Sequence, residues 1–554
     1  MKLQNFFQLA FFALAILFFT GCNDDEETPD TPAPVAGFTF SPASPEAGQT
    51  ITFTNTSTNA STFAWSSNQG GFSSSEQNPT FAFAEAGSYT VTLTATGEGG
   101  SDTDTQTITV VDGGGTVTPT YPANYTESTD AATGRASLRI ASDASGIGQD
   151  NITWTKDKVW VLEGFVFVNE GQTLTIEAGT VIKGQEGQGE NASALIVARG
   201  GKVIAEGTPN EPIIFTAEED NLNGNLGADE SGKWGGLIIL GKAGLNSTPG
   251  ESAIEGIPTT ESRGLYGGSD DADNSGVFRY ISVRHGGSDI GAGNEINGVT
   301  FGGVGTGTTV EYIEVYANKD DAFEWFGGTV NSKYLIATAA GDDNFDYDEG
   351  FRGNVQFGLI YQRPDLGDRG GEHDGGTDPE TGTPYATPKF FNITSVGASD
   401  DGNRALTFRD NAGGEYHNSV FVSYESAVDI EFLASGESSY RRFQAGDLKL
   451  MNNTFSEIAA NADSLFTIAV VSGKEPAQAD LDAAIADVVA YFPANGNTVG
   501  SIGVTRSNLV PNANGGSVSA PANSFFTATD YRGAFAVGST PWYVGWTATE
   551  SFIQ

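Results

Sequence analysis

From Gln172 onward the chain alternates short apolar runs with Gly, Asn and Asp turns. The clearest runs are "QTLTIEAGTVIKG", "SALIVARGGKVIAEG", "PIIFTA", "WGGLIILGKAG" and "GVFRYISVRHGG". Each has the length and β-branched content of a strand and is too short for a helix. Short strands at regular spacing, with no helices between them, predict a sandwich, a propeller or a solenoid. Laying the chain over itself chooses among these. "VEYIEVYANKDDAFEWFGGT" (Val310–Thr329) matches "SKYLIATAAGDDNFDYDEGF" (Ser332–Phe351) at an offset of 22 residues. Asp320 then meets Asp342, Asp321 meets Asp343, Phe323 meets Phe345, Glu324 meets Asp346 and Trp325 meets Tyr347. Looser copies follow in "VQFGLIYQRPDLGDRGGEHDGG", "KFFNITSVGASDDGNRALTFRDNAGG", "YHNSVFVSYESAVDIEFLASG" and "LKLMNNTFSEI". A unit of that length holds three short strands and their turns, the rung of a parallel β-helix; propeller blades need longer, four-stranded units.

An earlier block, Val35 to Val111, has a different pattern. "GFTFSP", "QTITFTNTS", "TFAWSS", "PTFAFAEAGSYTVTLTAT" and "TQTITVV" alternate apolar and polar residues at sandwich-like spacing. Trp65 reads as a core residue, and Tyr89, Val91 and Leu93 share one face. One convincing helix is predicted over Glu475–Phe492, with Leu481, Ala484, Ile485, Val488 and Val489 on one face, packed on the solenoid or covering its C-terminal end.

Two resemblances rest on these residues. The block 35–111 resembles a PKD domain, an Ig-like sandwich that mostly serves as a spacer. The rungs, with the C-terminal "FFTATDYRGAF" and "WYVGWT", make residues 151–554 similar to right-handed parallel β-helix, pectin-lyase-like lipoproteins of Bacteroidota. The expected fold is therefore all-β. It has a leader at 1–21, an acidic Pro-rich linker at 22–34, a PKD domain at 35–111, a linker and lead-in at 112–150, and a β-helix at 151–554.

The leader fixes an expected address. Lys2 is followed by the apolar "LAFFALAILFF" and then by "FFTGC", which ends in the chain's one cysteine, Cys22. The run is too short and wrongly flanked to span a membrane. A lone cysteine behind such a run is explained as a lipidation site, and "CNDDEE" resembles the acidic signal that sends Bacteroidota lipoproteins to the outer face of the outer membrane. The expected partner is therefore the outer membrane, reached through the N-terminal lipid.

Charge narrows the ligand. The 554 residues carry 70 Asp+Glu against 27 Lys+Arg, a formal net charge of −43. Such a surface repels phosphate backbones, which excludes nucleic acid and leaves cations, glycans and basic protein partners. The acid is densest in "GDDNFDYDEGFRG" (Gly341–Gly353). Strand side chains alternate, so Asp342, Asn344, Asp346 and Asp348 share one face while Phe345 and Tyr347 share the other. With the aromatics inward, stacked rungs place the acids on an outer wall. The register continues to Glu372 and Asp374, then Thr407 and Arg409, then Asp429 and Glu431. Like charges that close require arginine, a cation or protonation as compensation.

The candidate binding patch is thus Asp342, Asp343, Asp346, Asp348, Glu349, Arg352, Asp368, Arg369, Glu372 and Asp374, expected to converge on one exposed surface. Its candidate metal ligands are Asp342, Asp346, Asp348 and Glu372, with Ca2+ the natural ion because it accepts six to eight oxygens in flexible geometry. The stretch is not an EF-hand: Tyr347 stands at the turn glycine and Gly353 at the bidentate glutamate. His285, His373 and His417 lack metal-ligand spacing, and HExxH, GxSxG, Walker and CxxC motifs are absent. The β-helix resemblance implies either a surface binding or structural protein, or a polysaccharide lyase or glycoside hydrolase. With no motif assignable to an enzyme family, and an anionic wall that repels uronates unless calcium bridges them, binding is the favoured expectation.

Overall fold

The computed structural model describes residues 32–111, 121–291, 294–376, 379–398, 403–458 and 465–553. Cys22, its leader and most of the acidic linker lie outside the described residues, as does the linker 112–120. The chain divides into two compact units, the second beginning at Tyr121.

The first unit is a sandwich of a three-stranded and a four-stranded antiparallel sheet. Trp65, Tyr89, Val91 and Leu93 are all buried in its core, on the face their alternation predicts. Trp65 Nε1 donates to Glu76 O at 2.9 Å, which satisfies the polar edge of the ring within the core.

The second unit is a parallel β-helix built on one 18-stranded and one 10-stranded sheet. It begins earlier than the expected Asn151. Tyr125–Thr129 and Ala136–Ala141, from the lead-in, pair with each other, and the latter pairs with Val159–Glu163. Their apolar positions Leu138 and Ile140 enter the same core as Trp160 and Leu162.

Each central rung is a long strand followed by a short one, as in Thr309–Tyr316 with Phe323–Phe326 and Asn331–Thr338 with Phe345–Asp348. The long strand bends within itself. Tyr280, Tyr312, Tyr334, Phe357 and Asn392 adopt φ of +50°, +57°, +61°, +63° and +57°, and inter-strand pairing skips Tyr280, Tyr312 and Tyr334. The rung therefore has three straight segments. Left-handed backbone costs roughly 1–2 kcal/mol for a residue with a side chain. Here the aromatic rings stack in return, at centroid distances of 4.3, 4.2 and 5.0 Å along Tyr280–Tyr312–Tyr334–Phe357, and such pairs contribute about 0.5–1.5 kcal/mol each.

"FFTATDYRGAF" and "WYVGWT" are not rungs. The chain after Val499 runs back along the flank of the solenoid, where Trp542 and Trp546 meet the tyrosine stack edge-on. Ser519 N donates to Asn418 Oδ1, Thr527 exchanges two 2.8 Å hydrogen bonds with the Gln356 side chain, and Thr549 N donates to Glu314 Oε1. Arg532, 1% exposed, donates to the carbonyls of Asn453, Gly496 and Ser517 and so fixes the segment near the last rungs.

The expected helix forms over Gln478–Ala494, and Ala484, Val488 and Phe492 enter the core at the C-terminal end. Its buried face is rotated from the expectation. Ile485 is 40% exposed, because Phe492 packs on Phe455 and Phe466 and so selects the 484–488–492 line.

Asn392 joins the bend to the returning segment: Nδ2 donates to Tyr531 O and Gly533 O, while Oδ1 accepts from Gln356 Nε2. Asn392→Ala forces alanine into the left-handed region and strips these partners. The expected loss is about 2–4 kcal/mol, read as a lower urea midpoint in equilibrium unfolding.

Candidate functional site: a divided acidic wall

The 10-stranded sheet carries the acids. Phe323, Trp325, Phe345 and Tyr347 point inward and are fully buried. The alternate positions form the ladder the sequence predicts: Glu324 beside Asp346, Asp346 beside Glu372, Glu372 beside Thr407, and Thr407 beside Asp429. Two unit charges on adjacent rungs, about 4.8 Å apart, repel by about 3 kcal/mol at the effective dielectric of a protein surface, so the ladder cannot stand without compensation.

Toward the C-terminal end the compensation is arginine. Arg369 Nη1 lies 3.2 Å from Asp343, 2.8 Å from Asp368 and 3.0 Å from Glu372. Arg409 pairs with Glu372 at 2.8 Å and Asp374 at 2.6 Å, and Arg404 pairs with Asp429. Glu372, Asp374, Asp343 and Asp368 therefore belong to an ion-pair network.

Toward the N-terminal end there is no such neutralisation. Among the described residues no Lys or Arg lies within ion-pair distance of Glu255, Asp320, Asp321, Glu324, Asp342 or Asp346. Their oxygens form two overlapping sets with ligand atoms mutually within 4.8 Å, Asp320–Asp321–Asp342 and Asp321–Glu324–Asp346, while a third set, Asp342–Asp343–Asp368, includes two acids paired with Arg369. No histidine joins them. Asp321 and Glu324 are 7% and 8% exposed. Asp321 Oδ1 accepts from Asp343 N at 2.8 Å, and Asn297 Nδ2 donates to Glu324 and, at 3.0 Å, to Glu255. Asp346 Oδ1 and Asn297 Oδ1 are buried with no hydrogen-bond partner. Oxygen-rich, partly orphaned and unpaired with nitrogen cations, this half suits a hard cation.

Several expectations change. The patch is not one exposed surface: Asp342 is exposed, while Asp343 and Glu372 are buried and Asp346, Asp348 and Asp374 are half-buried. The four expected metal ligands do not form one set; Asp342 and Asp346 fall in different sets, and Asp348 and Glu372 in none. Glu349, at φ +51°, turns away and accepts from Ser252 Oγ and Tyr266 OH. Arg352 follows the Gly350 turn, pairs with Asp271 at 3.0 Å and donates to Gly350 O.

The turning away of Glu349 and Arg352 comes from the chain between Leu240 and Val299, which leaves the rungs on either side of the strand Gly276–Arg284 and brings Ser252, Tyr266 and Asp271 to these two residues. Leu245, Ile254, Ile257, Tyr266 and Ile296 of this excursion cover the apolar outer face of the earlier rungs, packing on Phe167, Ile196, Ile238 and Leu240. Glu255 and Asn297 stand at its margin against the acids. Sequence reasoning missed both, because the excursion has no 22-residue repeat to place them. Asp320, Asp321 and Glu324 did carry a signal, since each aligns with an acid one rung on.

Burial and mutual repulsion shift these carboxyls upward. Burial first, then the neighbouring Glu255, pushes Asp320 up to about 7; burial, then Asp374, does the same to Asp348. Asp321, Glu324 and Asp346 are raised well above the usual range, by burial and then by surrounding acids. A raised folded-state value means that the protonated form is the stabilised one. Stability from these groups is present at low pH and is lost as pH rises through their folded-state values, about 7 for Asp320 and Asp348. In chelator, the melting temperature should therefore rise as pH is lowered from 8 toward about 5, and Asp321→Asn should reduce that slope. A melting temperature that does not rise over this range would contradict the unpaired cluster.

Known proteins match both units. Residues 37–110 match the PKD domain family, and residues 146–493 match the family described as Pectate-lyase like beta helix domain. Among solved structures, the PKD1 domain of Vibrio anguillarum Epp is 31% identical, with 15% of this chain and 99% of that one covered and a TM-score of 0.13. The PKD1 domain of the Vibrio cholerae metalloprotease PrtV is 38% identical, covering 14% and 99%, with a TM-score of 0.13. A structure titled for carbohydrate-binding modules of the beta-sandwich superfamily is 24% identical over 18% of this chain and 45% of its own, with a TM-score of 0.15. No curated protein matches the chain. With its matched segment spanning more than half of the sequence and its long parallel sheets, the chain belongs to the pectate-lyase-like β-helix family and carries a PKD domain ahead of the solenoid.

Proposed function

We propose that the chain is a cell-surface lipoprotein of Bacteroidota type, tethered to the outer membrane through lipidated Cys22, whose β-helix binds Ca2+ and engages carbohydrate or a surface partner through its acidic wall. The PKD domain serves as the spacer. The observation that carries this reading is the unpaired half of the wall, where Asp321, Glu324 and Asp346 bring carboxylate oxygens within 4.8 Å of one another with no basic partner. The β-helix and PKD families together support a carbohydrate-related extracellular role. A bound Ca2+ would supply positive charge to an otherwise repulsive surface and so admit hydroxyl or carboxylate groups of a glycan.

Binding is favoured over catalysis by the state of the arginines. A lyase on such a wall needs a basic group free to take a proton, whereas Arg369, Arg404 and Arg409 are each held by carboxylates and Arg352 is held by Asp271.

Two measurements test the proposal. Calcium at a hundredfold its dissociation constant should stabilise the chain by about 2.7 kcal/mol, chelator should reverse this, and Asp346→Asn should blunt it. Melting that is indifferent to calcium and chelator removes the metal from the proposal. For the address, Cys22→Ser should move the protein from the membrane fraction to the soluble fraction; equal partitioning of the two forms would rule out the lipid anchor.

A further inference from the structure

A second polar cavity lies away from the acidic wall, on the flank where the C-terminal segment meets the rungs. It has a volume of about 380 Å³, within the range of small-molecule sites, and its lining includes Asn223, Arg284, His285, Tyr316 and Ser551. Arg284 is unusual in this chain. Arg139, Arg199, Arg263, Arg279, Arg352 and Arg363 all sit within ion-pair distance of a carboxylate, and Arg135, Arg441, Arg506 and Arg532, which have no such carboxylate, donate guanidinium N–H groups to backbone carbonyls instead. Arg284 has none among the described residues; its one protein acceptor there is Ser282 Oγ, reached from Nε at 2.7 Å. Nη1 and Nη2 are left without a protein partner beside the cavity.

The acids there are already engaged, Asp220, which is itself part of the lining, among them. Glu314 accepts from Ser282 Oγ, Ala548 N and Thr549 N. Asp220 accepts from Thr216 Oγ1 and Leu222 N. His285 Nδ1 lies 2.6 Å from Glu230 O, and because a carbonyl only accepts, that nitrogen carries the proton. Burial holds the ring's pKa below its usual value, so it lines the site as a neutral group, edge-on to Tyr316. The tyrosine hydroxyl, the Asn223 amide and the Ser551 hydroxyl complete a lining able to donate.

We propose that this cavity binds a phosphate or sulfate group, free or as the ester of a larger ligand, with the guanidinium fork of Arg284 as its charged partner. The planar fork presents two N–H groups to adjacent oxygens of such an anion, a geometry a lysine cannot supply. The net charge of −43 does not forbid this, because exposed charges beyond about 8–10 Å are screened at ordinary ionic strength and the nearest positive group dominates.

The test is calorimetric titration of the full chain at constant ionic strength with inorganic phosphate, inorganic sulfate, a hexose monophosphate, a hexose monosulfate and acetate. Phosphate or sulfate should give one saturable site, and tighter binding of an ester than of its free ion would assign the larger ligand. Arg284→Gln should abolish the site, and Arg284→Lys, which keeps the charge and the fold, should weaken it. Asp346→Asn should leave it intact, which separates this site from the wall. The proposal is overturned if none of the tetrahedral anions gives saturable heat, if both Arg284 variants titrate like the wild type, or if acetate binds as tightly as phosphate. General stabilisation by sulfate or phosphate would persist in Arg284→Gln and so cannot imitate a positive result.

Discussion

In a parallel solenoid, each side chain is the neighbour of its own equivalent one turn later. That near-identity of environment is the constraint on which this structure depends. An aromatic position meets an aromatic position, as Phe301 stacks on Trp325 and Phe323 meets Phe345 edge-on in the core, and the gain accumulates rung by rung. A carboxylate position accumulates repulsion by the same geometry. The wall from Glu324 to Asp429 is where both consequences meet on opposite faces of one sheet. Its C-terminal half dissipates the charge through Arg369, Arg404 and Arg409. Its N-terminal half keeps the carboxyls close together without a basic partner, with Asp321 and Glu324 nearly buried. An arrangement that raises carboxyl pKa values this far is costly for a surface with only a structural task, which is why the division itself is informative.

Much of this was legible in the sequence because repetition is a long-range signal written locally. The offset of 22 residues placed Glu324 beside Asp346 and, by continuation, Glu372, Thr407 and Asp429, and each pairing is present. Trp65 and its alternating neighbours in the sandwich were legible for the simpler reason that a strand has period two. What escaped was whatever does not repeat. Glu255 and Asn297 reach the acids from an excursion whose fold is dictated by apolar contacts with Phe167 and Ile238, and no spacing in the chain announces that meeting. Arg352 follows the acidic turn by four residues yet pairs with Asp271, because proximity along a turn does not fix the direction in which a side chain leaves it. On the helix, Ala484 and Val488 are buried as their spacing predicts, and Ile485 falls outside that face because Phe492 extends the buried line 484–488–492.

The bends in the long strands show how such a fold tolerates local strain. Five successive rungs place a residue with a side chain in left-handed backbone, four of them aromatic. None of these positions uses glycine. The reason is in the flank: the rings stack on one another and receive Trp542 and Trp546, whereas glycine would relieve the backbone and leave that surface without its contacts. Conformational cost and side-chain packing are thus exchanged at the same residue.

The returning C-terminal segment has a consequence for biogenesis. Thr549 reaches Glu314 across 235 residues of sequence, and Tyr531 reaches Asn392 across 139. Glu314 is fully buried, yet two of its three donors, Ala548 N and Thr549 N, lie 234 and 235 residues further along the chain. As the chain emerges in order, the rungs can stack as they appear, but the flank stays unsealed and its carboxylate unsatisfied until Ala548 and Thr549 arrive. Arrival of this segment is therefore the step that closes the solenoid, and a chain without Ala548 and Thr549 carries its defect in the middle of the domain, far from the missing residues.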